Sequence, residues 1–307
     1  MIKGMFRARD LSKWETQFTY YSMEEYLSAQ LQSGVHSIQI GSQIIDIYVE
    51  NRGSNVTLVN FNAAANPSTK TMPSFRGSGL TEDVGINLIA VSDPTMVLGE
   101  IRLGWYLGNK DIGKLPPILA PLIQHALDSI NTKRTILFGA SGGGYAAVLY
   151  GQYFPDSIVF GVNPRLDLNA LPKSATDKYL AAAHNNTDPT NQPEGKDFLP
   201  GKLSRLYKKS LPFDLCIYQN LGDKHFLNHQ LIPLATDLAD DPRLFTKVEW
   251  IRPGHVVIPG SRLRHLVAHL AAEDSQKDAI IKAGFTPTVL NSKDTKAARP
   301  YSKLKTW

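Results

Sequence analysis

The sequence predicts an α/β fold built on a mostly parallel, doubly wound sheet that begins with an antiparallel hairpin. The chain has 307 residues, 42% of them hydrophobic, which is enough for one large domain with a sizeable core. Short β-branched or apolar runs alternate along it with segments of helical periodicity. This alternation is typical of parallel strands that are joined by crossover helices.

The individual elements follow from local pattern. Residues 35–40 and 43–49 flank Gly41-Ser42 and form the predicted hairpin. The remaining strands are predicted at residues 56–61, 86–91, 135–138, 157–162, 215–219 and 248–251. The helices are predicted at residues 23–33, 116–130, 145–153 and 261–273.

Residues 165–210 interrupt this alternation. They are rich in Pro, Asn, Asp and Lys, with one helix-like patch at 178–183. An insertion after a parallel strand lies above the carboxyl edge of the sheet, so we expect a cap or lid there. The predicted organisation is a main domain, residues 1–284, which includes this cap, followed by a basic tail, residues 285–307.

The formal net charge of +5 is concentrated at the carboxyl end of the chain. Residues 291–307 contain five Lys or Arg residues and one Asp. Such a tail is suited to contact an anionic partner, for example nucleic acid, a lipid head group or an acidic glycan; a solvated terminus is the simpler interpretation. No zinc-ligand spacing or aromatic-basic ribbon elsewhere indicates nucleic-acid binding.

The sequence also bears on the cellular compartment of the protein. No apolar stretch is long enough to cross a membrane, and the first residues lack the apolar core of a signal peptide. The single cysteine, Cys216, excludes a disulfide framework. It lies in an apolar run and is interpreted as a buried core thiol rather than a nucleophile. We expect a cytoplasmic protein.

The segment Gly139-Ala-Ser141-Gly-Gly143 is the most informative motif of the chain. It follows an apolar strand and precedes an Ala-rich helix, which is the order that a nucleophile elbow requires. Small residues on both sides of Ser141 allow strand and helix to approach, and the strained turn projects the hydroxyl. The amide of Gly142 is then placed to face a developing oxyanion. No Gly-Lys-Ser/Thr follows, which argues against a phosphate-binding loop.

A serine hydroxyl needs a base and an orienting acid, which in a parallel sheet come from loops at the carboxyl ends of strands. His255 follows the last predicted strand and is the candidate base. Asp223 follows the preceding strand and is the candidate acid. Asp167 is the main rival acid, and Asp93 is a weaker one.

Further candidates complete the site. The second oxyanion amide is expected in the small-residue loop after strand 56–61, from Ala63 first and Ala64 second. Tyr145, the aromatic residue after the elbow, and His225, beside the candidate acid, are the predicted substrate contacts. The first oxyanion donor is Gly142.

Two pairs of histidines have the i, i+4 spacing of helical metal ligands: His225 with His229, and His265 with His269. No carboxylate or third histidine accompanies either pair at a matching spacing. Solvated or hydrogen-bonded histidines are therefore the better interpretation, and no metal site is predicted.

On these features the chain resembles the α/β-hydrolase superfamily, over roughly residues 35–273, through its elbow, its Asp223 loop, its Gly254-His255 pair and the chain order Ser, Asp, His. The resemblance implies a Ser-His-Asp triad and an acyl-enzyme route, without metal or cofactor. More weakly, the chain is similar to hydrolase-fold proteins of bacterial capsule biosynthesis and accessory secretion systems. That likeness lies in residues 59–63, in Tyr145 after the elbow and in residues 217–220. Some of those relatives are linked to acetyl transfer on glycans.

We therefore expect a serine esterase or acyltransferase that acts on a carboxylic ester, with an acetyl ester on a glycan as one candidate substrate. The loop at Ala63 departs from the His-Gly oxyanion signature of many esterases, which disfavours a generic lipase. Two alternatives stay open: a catalytically inactive binding or scaffold subunit of a polysaccharide or secretion system, and a serine peptidase.

Overall fold

The computed structural model describes residues 6–170, 173–185, 199–207, 210–272 and 275–287. The expected basic tail lies outside the described residues from position 288 onward, as does the central part of the expected cap, residues 186–198.

The strands are β1 (Ala8–Arg9), β2 (Gln17–Tyr20), β3 (Gly34–Ile40), β4 (Gln43–Glu50), β5 (Val56–Phe61), β6 (Thr71–Met72), β7 (Asn87–Val91), β8 (Gly108–Asn109), β9 (Gly113–Lys114), β10 (Arg134–Ala140), β11 (Ile158–Val162), β12 (Asp214–Asn220), β13 (Leu244–Glu249) and β14 (Thr286–Pro287). The helices are α1 (Met23–Ser28), α2 (Ser78–Thr81), α3 (Pro116–Ser129), α4 (Gly142–Gly151), α5 (Lys173–His184), α6 (Lys224–Phe226), α7 (Ile232–Asp237), α8 (Gly260–Leu270) and α9 (Gln276–Lys282).

Within the described residues, one ten-stranded sheet has the order β14-β13-β12-β11-β10-β5-β7-β4-β3-β2. Its six central strands, from β13 through β7 in that order, are parallel to one another. Strands β3 and β4 form an antiparallel hairpin, and β4 is antiparallel to β7. The predicted mostly parallel sheet with an antiparallel start is confirmed; the additional edge strand β2 had no clear signal in the sequence.

The core lies on both faces of the sheet. On one face, α3 and α4 contribute buried side chains such as Leu119, Ile123 and Val148. On the other face, α8 and α9 contribute Leu266 and Ile280. Helices on both faces bury the apolar strands between them, which explains why the central strands are continuous hydrophobic runs. The central strand β5, for example, is buried along its whole length.

The last parallel strand differs from the prediction. It spans Leu244–Glu249, whereas the sequence favours residues 248–251. Leu244 and Phe245 are buried and pair with β12, and the backbone leaves the sheet after Glu249. The amide of Ile251 then donates to the side chain of Asn220 instead of to a neighbouring strand. The chain therefore turns toward the carboxyl edge earlier than apolar character suggests.

The described parts of residues 165–210 pack against the main core while forming part of a cavity wall. Tyr179 and Tyr207 are buried among the core side chains. Arg165 and Lys178 line a cavity together with Ser141. The segment therefore contributes to the surroundings of the elbow serine.

Cys216 is fully buried in β12, and burial raises the pKa of its thiol well above the usual range. Such a thiol is a poor nucleophile, as the sequence indicates. In the part of the chain that the structure describes, no helix has both the length and the apolar character needed to span a bilayer.

Candidate active site

Ser141 occupies a sharp turn between β10 and α4. Its φ of 50° lies in the left-handed region, which a residue with a side chain adopts at an energetic cost. Three backbone hydrogen bonds hold it there: its amide donates to Val162 O at 2.9 Å, and its carbonyl accepts from Gly144 N at 3.1 Å and Arg165 N at 2.8 Å. This is the strained geometry of a nucleophile elbow.

The glycines of the motif are required by close packing. A Cβ on Gly139 would lie 2.1 Å from the carbonyl oxygen of Gly143. A Cβ on Gly143 would lie 2.2 Å from the carbonyl oxygen of Phe61, at the end of β5. Any side chain at either position would push α4 away from the sheet. The contact therefore explains in steric terms why small residues flank the serine.

The structure brings Ser141, His255 and Asp223 together. His255 Nε2 lies 2.9 Å from Ser141 Oγ, and His255 Nδ1 lies 2.5 Å from Asp223 Oδ2. Because a carboxylate can only accept, Nδ1 carries the proton and Nε2 is free to accept the serine hydroxyl. The Asp223 side chain is 3% exposed, whereas that of His255 is 38% exposed. The carboxylate is thus shielded, whereas the imidazole is partly exposed to solvent.

The start of α6 fixes both the acid and the imidazole. Asp223 is its N-cap, and its Oδ1 accepts from Phe226 N at 3.1 Å. The ring of Phe226 stacks on His255, with centroids 4.0 Å apart and planes 19° from parallel. One short helix therefore orients the carboxylate through its backbone and the imidazole through an aromatic contact.

Asn220, at the carboxyl end of β12, ties the loop of the acid to the loop of the histidine. Its Nδ2 donates to Arg252 O at 2.8 Å and to Gly254 O at 3.0 Å. Its Oδ1 accepts from Gly222 N and Ile251 N, each at 3.0 Å. The side chain is fully buried. All four bonds reach backbone groups of the two loops, so Asn220 sets their separation.

Asn163, at the end of β11, extends this network. Its Oδ1 accepts from Asn220 N at 2.7 Å, and its Nδ2 donates to Val256 O at 3.4 Å. Sequence reasoning missed both asparagines. Their signal was present: a polar amide directly after a buried strand, at the edge where the candidate site lies.

The rival acids are engaged elsewhere. Asp167 Oδ1 accepts from Asn169 N at 2.8 Å. Asp93 is buried and accepts from Thr95 N at 3.0 Å and Tyr106 N at 2.9 Å. Burial raises the pKa of Asp93, and these hydrogen bonds oppose that rise. Asp93 thus holds the loop that leads to Tyr106, and neither rival contacts His255.

The candidate oxyanion donors lie at two positions. Gly142 is the first residue of α4, so its amide has no acceptor within the helix. Among the described residues, no acceptor is found for the amides of Ala63 and Ala64. Ala64 lines the same cavity as Ser141, whereas Ala63 lines an adjacent cavity of about 330 Å³.

The two predicted substrate contacts differ in exposure, and the role of His225 stays a prediction. Tyr145 is fully buried in the core, and its hydroxyl approaches Gly201 O at 3.5 Å. Tyr145 is therefore a packing residue of the core instead of the predicted substrate contact, because every residue of α4 is buried. His225 is exposed, packs against His229 with centroids 4.8 Å apart, and lines neither cavity described here.

Ser141 opens into a cavity of about 550 Å³, which we call the serine cavity. Its apolar wall includes Ile101, Leu103 and Trp105. The charged side chains that line it are Arg7, Arg102, Arg165, Lys178 and Glu100. Sequence reasoning identified none of these residues.

The two histidine pairs show contacts between their rings. His265 and His269 have centroids 4.5 Å apart, on the exposed side of α8. Across the described ranges, no group of three or more His, Cys, Asp or Glu residues is arranged to hold a metal ion.

Comparison with known proteins identifies solved structures of similar fold. No protein-family model matches the chain, and no curated protein sequence is significantly similar to it. The structure is similar to the capsule O-acetyltransferase of Neisseria meningitidis serogroup A, with a TM-score of 0.57 and 17% identity over 80% of this chain and 97% of that chain. A histidine-to-alanine mutant of that enzyme in complex with CoA gives a TM-score of 0.58 at 17% identity and the same coverage.

The Glycosylation Associate Protein complex of Streptococcus agalactiae is also similar, with a TM-score of 0.54 and 15% identity over 78% of this chain and 47% of that chain. At these identities the similarity establishes a shared fold. The α/β class expected from the sequence, with its mostly parallel sheet, agrees with this shared fold.

Proposed function

We propose that the chain is a serine-dependent acyltransferase or esterase that forms an acyl-enzyme on Ser141. The observation that carries the proposal is the position of His255, 2.9 Å from Ser141 Oγ and 2.5 Å from Asp223 Oδ2. A hydroxyl, an imidazole and a buried carboxylate in this order form the arrangement that activates serine in acyl transfer.

In the proposed reaction, Ser141 Oγ attacks the ester carbonyl while His255 Nε2 takes its proton. The new C–O bond produces a tetrahedral oxyanion. Collapse of this intermediate breaks the bond to the leaving group, which receives the proton from His255, and the acyl group stays on Ser141. Asp223 holds the imidazole in the required tautomer and stabilises its protonated form.

The proposed oxyanion hole combines the Gly142 amide with an amide of the alanine loop. Ala63 is the residue assigned from the sequence, and its neighbour Ala64 lines the serine cavity. Two amides aimed at the developing charge act without reorganisation at the moment of reaction, and removing one such donor typically costs ~10²–10³ in rate.

The second half of the reaction transfers the acyl group from Ser141 to an acceptor, with His255 as base. Among proteins of similar fold, one is named as a capsule O-acetyltransferase and another as part of a glycosylation-associated complex. These names support an acetyl group as the acyl unit and a carbohydrate hydroxyl as the acceptor. One neighbour structure contains CoA, so acetyl-CoA is a reasonable donor to test.

Steady-state assays with matched variants test the proposal. We expect the wild-type protein to turn over 4-nitrophenyl acetate or acetyl-CoA, and to form an acetylated oligosaccharide when one is supplied. Ser141→Ala should reduce turnover to background. Ser42→Ala, an exposed serine in the hairpin turn, should leave it unchanged.

The alternatives give different results in the same assays. Cleavage of peptide 4-nitroanilides in preference to esters would indicate a peptidase. Equal background rates in the wild-type protein and in Ser141→Ala, with every donor, would contradict the proposal and favour a non-catalytic binding subunit.

A further inference from the structure

Arg165 is held beside the elbow serine. It follows β11 in the chain, and its amide donates to the carbonyl of Ser141 at 2.8 Å. Its guanidinium carbon lies 4.7 Å from the centroid of the Phe226 ring, and the same ring stacks on His255. The position of the cation is therefore fixed relative to both the serine and the imidazole.

The charge of Arg165 is poorly compensated. Burial lowers the pKa of its guanidinium to about 10. Its Nη1 is shielded from solvent and, within the described ranges, has no hydrogen-bond partner. The carboxylate that acts on it through space is Asp223, which already accepts from His255 and Phe226. Arg165 is thus a partly buried cation with no hydrogen-bonded counter-charge among the described residues, an arrangement that carries an energetic cost.

Trp105 provides a second unsatisfied donor at the same place. It is 3% exposed, it lines the serine cavity, and its Nε1 has no acceptor among the described residues. Its backbone has a φ of 53°, followed by a φ of 56° at Tyr106. Two consecutive bulky residues in the left-handed region are strained, and such strain concentrates at binding sites.

The remaining charged side chains of the cavity add to its positive potential. Arg102 and Lys178 are exposed residues that line it, and Glu100 is also exposed and carries the opposite charge. Arg7 is buried and donates to backbone carbonyls of the surrounding loops, at 2.7 Å to Met96 and 3.0 Å to Gly99. A concave surface with this excess of cations concentrates anions.

We infer that the serine cavity binds an anionic group of the substrate, a phosphate or a carboxylate, through the guanidinium of Arg165 with Trp105 Nε1 as a second donor. The inference rests on the proposed function, because it names the substrate class of that same site. Planar guanidinium groups bind phosphate and carboxylate by paired, charge-assisted hydrogen bonds. An anion in the cavity would give the guanidinium the counter-charge that the described residues do not supply through a hydrogen bond.

Two matched pairs of donors locate the anion. 4-Nitrophenyl hemisuccinate and 4-nitrophenyl acetate differ by a carboxylate on the acyl side. Acetyl-CoA extends the leaving group of S-acetyl-N-acetylcysteamine by the rest of pantetheine, a diphosphate and a 3′-phosphorylated adenosine, so its negative charges lie on the leaving-group side. We expect the anionic member of at least one pair to have the higher kcat/KM in the wild-type protein.

Arg165→Gln should lower kcat/KM for that anionic donor by ~10- to 100-fold relative to its neutral counterpart, the range expected for one charge-assisted hydrogen-bonding group. Trp105→Phe keeps the aromatic packing and removes only the N–H, so a smaller loss of ~3- to 10-fold is expected. Arg264→Gln, an arginine on α8 that does not line the cavity, is the matched control and should not change the ratio.

Equilibrium binding separates this inference from the proposed function. In the Ser141→Ala background, calorimetry with pyrophosphate, succinate and CoA should detect binding of at least one anion, weakened ~10-fold or more by Arg165→Gln. Anion binding that depends on Arg165, without ester turnover by the wild-type protein, would leave the inference standing and reject the proposed function. Turnover without any Arg165-dependent preference for anions, in kinetics or in binding, would overturn the inference alone.

Discussion

The elbow and the histidine loop, residues 250–259, build the candidate site in different ways. The elbow is a product of backbone packing, in which Gly139 and Gly143 bring a strand and a helix into direct contact. The histidine loop is largely exposed and irregular, and side chains of other elements hold it, chiefly Asn220 and Phe226. The elbow therefore depends on the absence of side chains at Gly139 and Gly143, whereas the histidine loop depends on contacts from the side chains of Asn220 and Phe226.

This difference has a mechanical consequence. A substitution in the elbow has to displace α4 from the sheet, so we expect its main effect on the free energy of unfolding. A substitution of a side chain that holds the histidine loop leaves the core intact, so we expect its main effect on kcat. The following substitutions test that contrast, beginning with the largest expected effect.

Asp223→Asn removes the charge beside His255 and favours the wrong imidazole tautomer. For a triad of the proposed kind, we expect kcat to fall by ~10⁴ with little change in fold. Ester turnover and circular dichroism measure the two effects. A loss below ~10-fold would indicate that Asp223 is not the acid of the site.

Gly143→Ala places a methyl group 2.2 Å from the carbonyl oxygen of Phe61. We expect the free energy of unfolding to fall by about 3 kcal/mol, because neither backbone can yield without moving α4 from the sheet. Urea titration measures the loss. Gly79→Ala, whose new methyl group meets no atom within 4 Å, is the matched control and should change stability by less than about 1 kcal/mol.

Asn220→Ala deletes four hydrogen bonds to the loops that carry Asp223 and His255. We expect kcat to fall by ~10², as for displacements of a catalytic group by about 1 Å, and a stability loss of about 2 kcal/mol. Asn228→Ala, at an exposed position nearby, should have neither effect. An unchanged kcat in Asn220→Ala would show that the histidine loop holds its position without this side chain.

His36 provides a pH effect that is separate from the site. Burial lowers the pKa of its imidazole from the ordinary value of 6.5, so the folded state favours the neutral form. The resulting stabilisation is present above pH 6.5 and is lost as the pH falls, since the unfolded chain then binds more protons. Urea unfolding at pH 7.5 and 5.5 should show a larger loss in the wild-type protein than in His36→Gln. Equal losses would contradict this assignment.

The elbow was predictable from the sequence because the small residues that it requires are close together in the chain and are needed for steric reasons. Glycine at positions 139 and 143 indicates that a strand and a helix approach each other closely, as β10 and α4 do in the structure. The positions of Asp223 and His255 followed from the rule that parallel strands deliver their loops to one edge, even though the strand before His255 ends earlier than predicted.

The supports of the site were not predictable in the same way. Asn220, at the carboxyl end of a buried strand, carried a usable signal, whereas Phe226 and Arg165 act through contacts between loops whose paths no short pattern determines. Tyr145 was misplaced for a related reason. Helix α4 is buried on all sides, so its sequence carries no amphipathic pattern to indicate which face meets the cavity.

The central claim is that His255 makes the hydroxyl of Ser141 reactive. Intact-protein mass spectrometry after reaction with a fluorophosphonate probe tests it most directly. The account predicts one adduct on Ser141 in the wild-type protein, none in Ser141→Ala, and labelling slowed by ~10² or more in His255→Ala. A folded wild-type protein that stays unlabelled, or a His255→Ala variant labelled at the wild-type rate, would contradict the claim.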